Sequence, residues 1–301
     1  AGNRNAAREC ERILAGRQVF VCENVMPKFG VLNIEPTQKQ IREIFLNRII
    51  QAKGLSAAAD LLSDIMMPTP SAVLQAMELL AQGCEGETGI GELVAVDVGG
   101  ATTDVYSMAS GEPTVDNTML KGLPEPWMKR TVEGDLGMRY SLTHVFEQIP
   151  GANQPENEFM QQVKAWVELC TARPDTLAAP GSEEEKLEEF LGRSAVSMAV
   201  ERHCGRIADV FTPLGLMHTQ EGKDLMNVPS VIGIGGVLRN SRRPEEILKG
   251  SLYDFMHPEC TKPRKPKFYL DQKYIFASMG LLRSINPELA FELLDKETVE
   301  I

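Results

Sequence analysis

Leu93-Val-Ala-Val-Asp-Val-Gly-Gly-Ala-Thr-Thr-Asp-Val-Tyr106 is the stretch on which the reading of this chain turns. An apolar run, Leu93 to Val96, ends in Asp97. Two glycines, Gly99 and Gly100, precede Thr102, Thr103 and Asp104, and a new alternating run follows from Val105 to Met108. The pattern predicts a buried strand, a glycine turn and a second strand, a hairpin whose tip is crowded with oxygen atoms and backbone N–H groups. Glycines let the backbone approach an anion closely, and consecutive turn amides make a cradle for phosphate. Threonine hydroxyls add donors, and Asp97 and Asp104 can hold a hydrated Mg²⁺ between themselves and a phosphate. A plain tight hairpin with solvated Asp and Thr is the bland alternative; the full set of oxygen-bearing residues favours the phosphate site.

Working outward, Val228-Pro-Ser-Val-Ile-Gly-Ile-Gly-Gly-Val-Leu-Arg-Asn240 is a second buried β-run, feeding into Gly235-Gly236 and then toward a helix near Pro244. A strand ending in paired glycines at a helix mouth suits a ribose and phosphate. It is not a Rossmann fingerprint, because Leu238 occupies the third glycine position. Between the two runs, Val115 to Leu120 reads as a third strand completing a meander. Thr131 or Asp135 is expected to cap a helix reaching about Gln148. Ser182-Glu-Glu-Glu-Lys186 opens a long helix, its carboxylates suiting the positive end of the dipole, and the helix is expected to run through Phe211 to Pro213.

Upstream, Asn5 to Leu14 reads as a helix and Gln18 to Glu23 as a strand. A helix begins at Glu35-Pro and stops at Gly54, another covers Ser56 to Ile65, and Pro68-Thr-Pro-Ser71 caps a third with the apolar stripe Val73, Leu74, Met77 and Leu80. Gln82 to Glu92 reads as a linker. Downstream, the basic loop around Lys262, Arg264, Lys265 and Lys267 is expected to be solvated surface. Asp271 to Ser284 reads as a helix, and the tail as a short amphipathic helix with a frayed end.

The 301 residues are enough for two domains, and the net charge of −11 with a pI near 5.0 argues against nucleic acid or an anionic membrane as the main partner. No apolar run reaches the roughly 20 residues of a membrane span. Six dispersed cysteines and four dispersed histidines form no metal spacing, which reads as reduced, cytoplasmic thiols. The opening Ala-Gly-Asn-Arg-Asn-Ala, without an initiating methionine, reads as the interior of a longer protein.

Asp97-Val-Gly-Gly-Ala-Thr-Thr-Asp104 resembles the second phosphate motif of the actin/Hsp70/hexokinase ATPase superfamily. Lys121-Gly-Leu-Pro-Glu-Pro126 and Arg130-Thr-Val-Glu-Gly-Asp-Leu-Gly-Met-Arg-Tyr140 resemble the MutL/GlmL family associated with glutamate mutase, which is unrelated to the mismatch-repair protein sharing its name. The resemblance implies an α/β fold: a ribonuclease-H-like (actin/Hsp70-type ATPase) second domain plus the remaining part of the first. It divides the chain into 1–90 (the end of the first domain with a connecting helix at Pro68–Ala76), 91–270 (the second domain) and 271–301 (a second connecting helix and tail). It also implies ATP and Mg²⁺ as cofactors and an adenosylcobalamin-dependent mutase as partner, served by an ATP-dependent reactivating chaperone.

By the same resemblance, Asp97 and Asp104 are the catalytic and, through water, metal-holding carboxylates. Gly99, Gly100, Thr102 and Thr103 contact phosphate, Glu133, Gly134 and Asp135 face the nucleotide, and Gly235 and Gly236 hold the nucleoside. The chain departs from the superfamily pattern in one respect: residues 1–80 contain no Asp-x-Gly-x-Thr first phosphate motif. The 301 residues alone are therefore expected to bind ATP weakly and hydrolyse it poorly. A small-molecule kinase of the same superfamily and a non-enzymatic scaffold with a vestigial site are the rival readings; the first predicts substrate-dependent ADP formation, the second no nucleotide binding at all.

Overall fold

A computed structural model describes residues 1–52, 67–152, 154, 157–213 and 215–301, and its chain divides into two compact units, Ala1–Pro68 and Thr69–Ile301. In the first unit a 3-10 turn, Arg4–Ala6, leads into α1 (Ala7–Ile13), and α2 spans Glu35–Ala52. The segment Gln18–Glu23 forms no strand. Alternation makes a strand only where a neighbour supplies the hydrogen bonds, and here Val19, Phe20 and Val21 lie exposed. The stop at Gly54 and the helix expected over Ser56–Ile65 lie outside the described residues.

The second unit is a mixed α/β structure. Helix α3 (Thr69–Gln82) starts where the Pro68-Thr-Pro-Ser71 signal places it and buries Val73, Met77 and Leu80. The segment from Gly83 to Thr88 then folds as a small hairpin, β1 (Gly83–Cys84) against β2 (Glu87–Thr88). Strands β3 (Leu93–Val98) and β4 (Thr103–Met108) form the hairpin read from the sequence, in the register Asp97 opposite Asp104.

The hairpin lies inside a six-stranded sheet ordered β11-β10-β9-β3-β4-β6, where β6 is Met128–Glu133, β9 Ser230–Ile234, β10 Lys267–Asp271 and β11 Thr298–Glu300. Strands β3, β9 and β10 run parallel, whereas β3-β4-β6 is an antiparallel meander. Both faces are covered, which is why β3 reads as an unbroken apolar run rather than an alternating one. Val94, Val96 and Val98 face one core with the long helix α6 (Glu183–His203). Leu93 and Ala95 face the other, which is shared with α3, α9 (Phe276–Leu282) and α10 (Pro287–Glu297).

Several sequence expectations are corrected. The third strand of the meander is β6. Thr118–Lys121 does form a strand, β5, but it pairs with β8 (Gly215–Glu221) in a separate sheet ordered β5-β8-β7, where β7 is Arg206–Thr212. Thr131 therefore lies inside a strand, and the helix after it, α4 (Leu142–Glu147), is short. The alternation of Met-Lys-Arg-Thr-Val-Glu is hidden, since the partly buried side carries the polar Lys129, Thr131 and Glu133 while Val132 lies outward.

The long helix is capped by Ser182, whose hydroxyl accepts from the Glu185 amide, but it ends at His203 rather than running to Phe211. At Gly205 the chain passes so close to Gly222 and Lys223 that a Cβ would meet backbone at 2.8 Å, and Arg206–Thr212 continues as β7, antiparallel to β8. Pro213 thus belongs to a hairpin turn.

Lys262, expected in solvent, is buried and donates to the Ser197 hydroxyl at 3.0 Å and the Gly250 carbonyl at 3.1 Å, burial lowering its pKa. Asp271 ends a strand rather than starting a helix, and the tail is paired as β11 rather than frayed. The remaining connections are α5 (Glu158–Ala172), α7 (Gly236–Asn240) and α8 (Pro244–Leu248).

Candidate functional site

The parallel strands β3, β9 and β10 end side by side, at Asp97–Val98, Ile234 and Asp271. Strand ends of this kind leave backbone groups unpaired and are the usual place for a ligand in an open α/β sheet. The 99–102 turn closes here with the Gly99 amide donating to the Thr102 carbonyl at 2.9 Å.

Its carbonyls are turned inward. Gly99 O accepts from Met138 N at 3.0 Å, Gly100 O from both Arg139 N (2.8 Å) and Tyr140 N (2.9 Å), and Ala101 O from the Ser141 hydroxyl (3.0 Å). The 137–141 segment can come this close because residue 137 is glycine, where a Cβ would sit 2.6 Å from Ala101 Cα. With the carbonyls tied down, the amides of Gly100 and Ala101 donate to no protein acceptor among the described residues. That arrangement, carbonyls in and N–H groups out, is a nest for an anion.

Asp97 and Asp104 are cross-strand partners and so share one face of the sheet. Asp104 is fixed. The Thr102 hydroxyl donates to its Oδ2 at 3.2 Å, and Arg130 reaches Oδ1 through Nε at 2.8 Å and Nη2 at 2.6 Å, while also lying over the Tyr106 ring. Replacing Arg130 by methionine leaves the Asp104 carboxylate, only 11% exposed, without its cation. The expected loss is about 2–3 kcal/mol in a denaturant titration, toward the low end for a broken buried pair because Arg130 is partly solvated. Unchanged stability would show the pair to be dispensable.

Burial, then the charge of Asp104, then that of Asp271, push the Asp97 carboxyl up to about 6, with Arg130 opposing. Three carboxylates crowd one edge, yet among the described residues no cluster of acidic, histidine or cysteine side chains could by itself hold a metal ion.

Other expected site residues are placed elsewhere. The Thr103 hydroxyl is fully buried and donates to the Leu136 carbonyl at 2.6 Å, so it has no proton left for a phosphate. Glu133 lies opposite Thr103, on the α6 side of the sheet, and its carboxylate takes Arg202 at 2.6 Å. Asp135 takes the same guanidinium at 2.8 Å, which holds its pKa down to about 2 with help from Gln148. The Gly134 carbonyl accepts from Ser141. Glu133 and Asp135 thus fasten the loop to α6, and Gly134 ties it to Ser141, rather than lining an opening.

Gly235 and Gly236 are brought to the hairpin. Gly235 has φ +98°, and a Cβ there would stand 2.5 Å from Val98 O and 2.7 Å from Asp97 Oδ1. Gly236 begins α7 and, with Gly99 and Gly100, borders a cleft of about 580 Å³ walled by Leu177, Val237 and Ile247. Arg139 organises that cleft, bonding Glu188 on α6 at 2.6 Å and the carbonyls of Pro174 and Thr176.

Sequence reading missed Arg130, Arg139, Glu188 and Asp271. Arg130 sits in a segment whose hydropathy hides its alternation. No local pattern marks the others, which come together only through long-range packing.

The family described as MutL protein matches residues 1–298. The chain is also similar to "Protein MutL" of Clostridium tetanomorphum, at 44% identity over 305 residues. That alignment covers 100% of this chain and 66% of the relative, so the chain spans a little under two thirds of the relative's length. A family match over nearly every residue, supported by identity at this level, shows that the chain belongs to the MutL protein family.

Proposed function

We propose that this chain is the larger part of an ATP-driven reactivating chaperone for an adenosylcobalamin-dependent aminomutase such as glutamate mutase. The observation that carries the nucleotide reading is the 99–102 turn: two outward amides beside a buried carboxylate, opening on a cleft that the Gly235–Gly236 turn completes. The sheet supports a ribonuclease-H-like fold, since an antiparallel meander joined to two parallel strands in the order β10-β9-β3-β4-β6 is the arrangement such a domain requires. In this reading residues 1–90 finish a first domain, 91–270 form the second, and α3 and α9 are the connecting helices.

The residues present fit Mg·ATP. The free amides of Gly100 and Ala101 hold the phosphates, Gly99 shapes the turn, the Thr102 hydroxyl stands at the rim with its proton on Asp104, and the Thr103 side chain contributes only to the fold. Asp97 and Asp104 hold Mg²⁺ through water, as expected where a hydrated cation is bound by one or two carboxylates and the substrate phosphates. Gly235 and Gly236 let the nucleoside lie against the strand ends. ATP supplies the free energy of its phosphoanhydride bond; the chain supplies position and charge. The cleft's turnover would be coupled to domain opening, which releases damaged cobalamin from the mutase.

The test uses the full-length protein with a mutase carrying inactive cobalamin. Cobalamin release should depend on Mg·ATP and fail with a non-hydrolysable analogue. Equal release with either nucleotide would sink the ATP-driven reading. Nucleotide hydrolysis that appears only when a small hydroxylated metabolite is added would indicate a kinase instead.

A further inference from the structure

The turn between β10 and α9 holds a bulky residue in a conformation that few side chains adopt. Tyr274 has φ +56°, in the left-handed region, which an aromatic L-residue adopts only under strain. Such strain persists only if the surroundings impose it, and here they do. The Tyr274 amide donates to the Asp271 carbonyl at 3.4 Å, and the Asp271 carboxylate, only 1% exposed, accepts from the next two amides, Ile275 (3.0 Å) and Phe276 (3.2 Å). The chain is thus clamped on both sides of Tyr274.

Packing does not explain the choice of tyrosine. The residue is 51% exposed, and its hydroxyl has no hydrogen-bond partner among the described residues. A glycine would serve the turn better. What tyrosine adds is a donor at the carboxyl edge of the sheet, where β3 and β10 end at Asp97 and Asp271 on the same face. The charge of Asp97 is the first influence on the phenol, ahead of burial, and raises its pKa.

We propose that Tyr274 is a further catalytic residue of the phosphate site, its phenol donating to an oxygen of the terminal phosphate of ATP above Asp97, and that the left-handed turn exists to present it. The inference rests on the nucleotide reading above and adds a contact on the β10–α9 turn. It also ties the nucleotide's terminal phosphate to the start of α9.

Calorimetry on the full-length protein tests it with Mg·ATP and Mg·ADP, using the wild type, Tyr274→Phe and Tyr274→Gly. A hydrogen bond to a charged oxygen is worth enough that Tyr274→Phe should weaken Mg·ATP binding about tenfold. Mg·ADP, which lacks the terminal phosphate, should bind both proteins alike. Tyr274→Gly should show the same selective loss with a melting temperature no lower than the wild type's. A merely structural tyrosine would leave the ATP-to-ADP affinity ratio unmoved, so an unchanged ratio in Tyr274→Phe overturns the proposal. Failure of the wild type to bind either nucleotide removes the nucleotide reading itself, and this assignment with it.

Discussion

Replacing Gly280 by alanine is expected to lower the melting temperature of the chain by roughly 6–12 °C. The number follows from an overpacking cost of about 3 kcal/mol, spread over a unit for which each kcal/mol moves the midpoint by roughly 2–4 °C. Gly280 lies in α9 at its crossing with α3, and a Cβ there would fall inside the carbonyl oxygen of Ala72 and 2.9 Å from Ala72 Cα. Every atom it meets is backbone, so no side chain can swing aside. The helices must separate, and they are pinned: Arg283 donates to the Gln75 carbonyl at 3.0 Å and pairs with Glu78. Separation also strips contacts from Phe276, Met77 and Leu80, which are all buried in the same core.

Ser278→Ala, on the exposed side of the same helix, is the control and should change the midpoint by less than about 1–2 °C, as surface substitutions do. Circular dichroism melts of the two variants decide the matter. A Gly280→Ala midpoint within that range of the wild type's would show that the crossing can absorb a methyl group. In the proposed mechanism this crossing joins the two domains of the ATPase, so the same substitution should also blunt any ATP-driven movement.

Asp97→Asn should act in opposite directions on stability and on binding. Without ligand, the Asp97 carboxyl titrates at about 6 instead of its ordinary 3.8, because ionisation is penalised first by burial and then by Asp104 and Asp271. A group whose folded pKa is raised contributes stability that is fully present below its unfolded pKa and is lost as the pH rises through the folded value. The difference in stability between variant and wild type should therefore be small near pH 4 and grow across the window from about 4 to above 6. It should reach up to roughly 3 kcal/mol in favour of the Asp97→Asn variant at about pH 7.5, the free energy of about two pKa units.

Mg·ATP binding to the full-length protein should fall by two decades or more in the same variant, since the charge that costs stability in the free protein is the one that attracts the cation. Urea titrations at about pH 4.5 and 7.5, with calorimetry at the higher pH, read both effects. A variant that is less stable at the higher pH, or that binds Mg·ATP as tightly as the wild type, would remove Asp97 from the role given to it.

What was legible in the chain by itself was everything carried by local periodicity and turn chemistry. Leu93–Tyr106 reads as a hairpin because its apolar run, glycines and second run are contiguous, and β3 and β4 fall where that reading puts them. Ser182 with three glutamates marks a helix start because capping and dipole effects act within one turn. The Gly235–Gly236 turn is legible for the same reason, and so are α3 and its buried stripe.

The tertiary structure alone decided which elements pair and which charges meet. Thr118–Lys121 and Met128–Glu133 are both short polar strands, and nothing local says that the second joins β4 while the first joins β8. The end of α6 is set by the close approach of Gly205 to Gly222, residues far apart in sequence. Thr103, Glu133 and Asp135 read as ligand-facing because an oxygen-bearing side chain near a glycine turn looks the same whether its partner is a phosphate, the Leu136 carbonyl or Arg202. Asp97, Asp104 and Asp271 come from three separate strands, and only strand order and register place them on one face and raise the pKa of Asp97. Local sequence specifies backbone shape within a few residues, but burial and charge are properties of the assembled sheet.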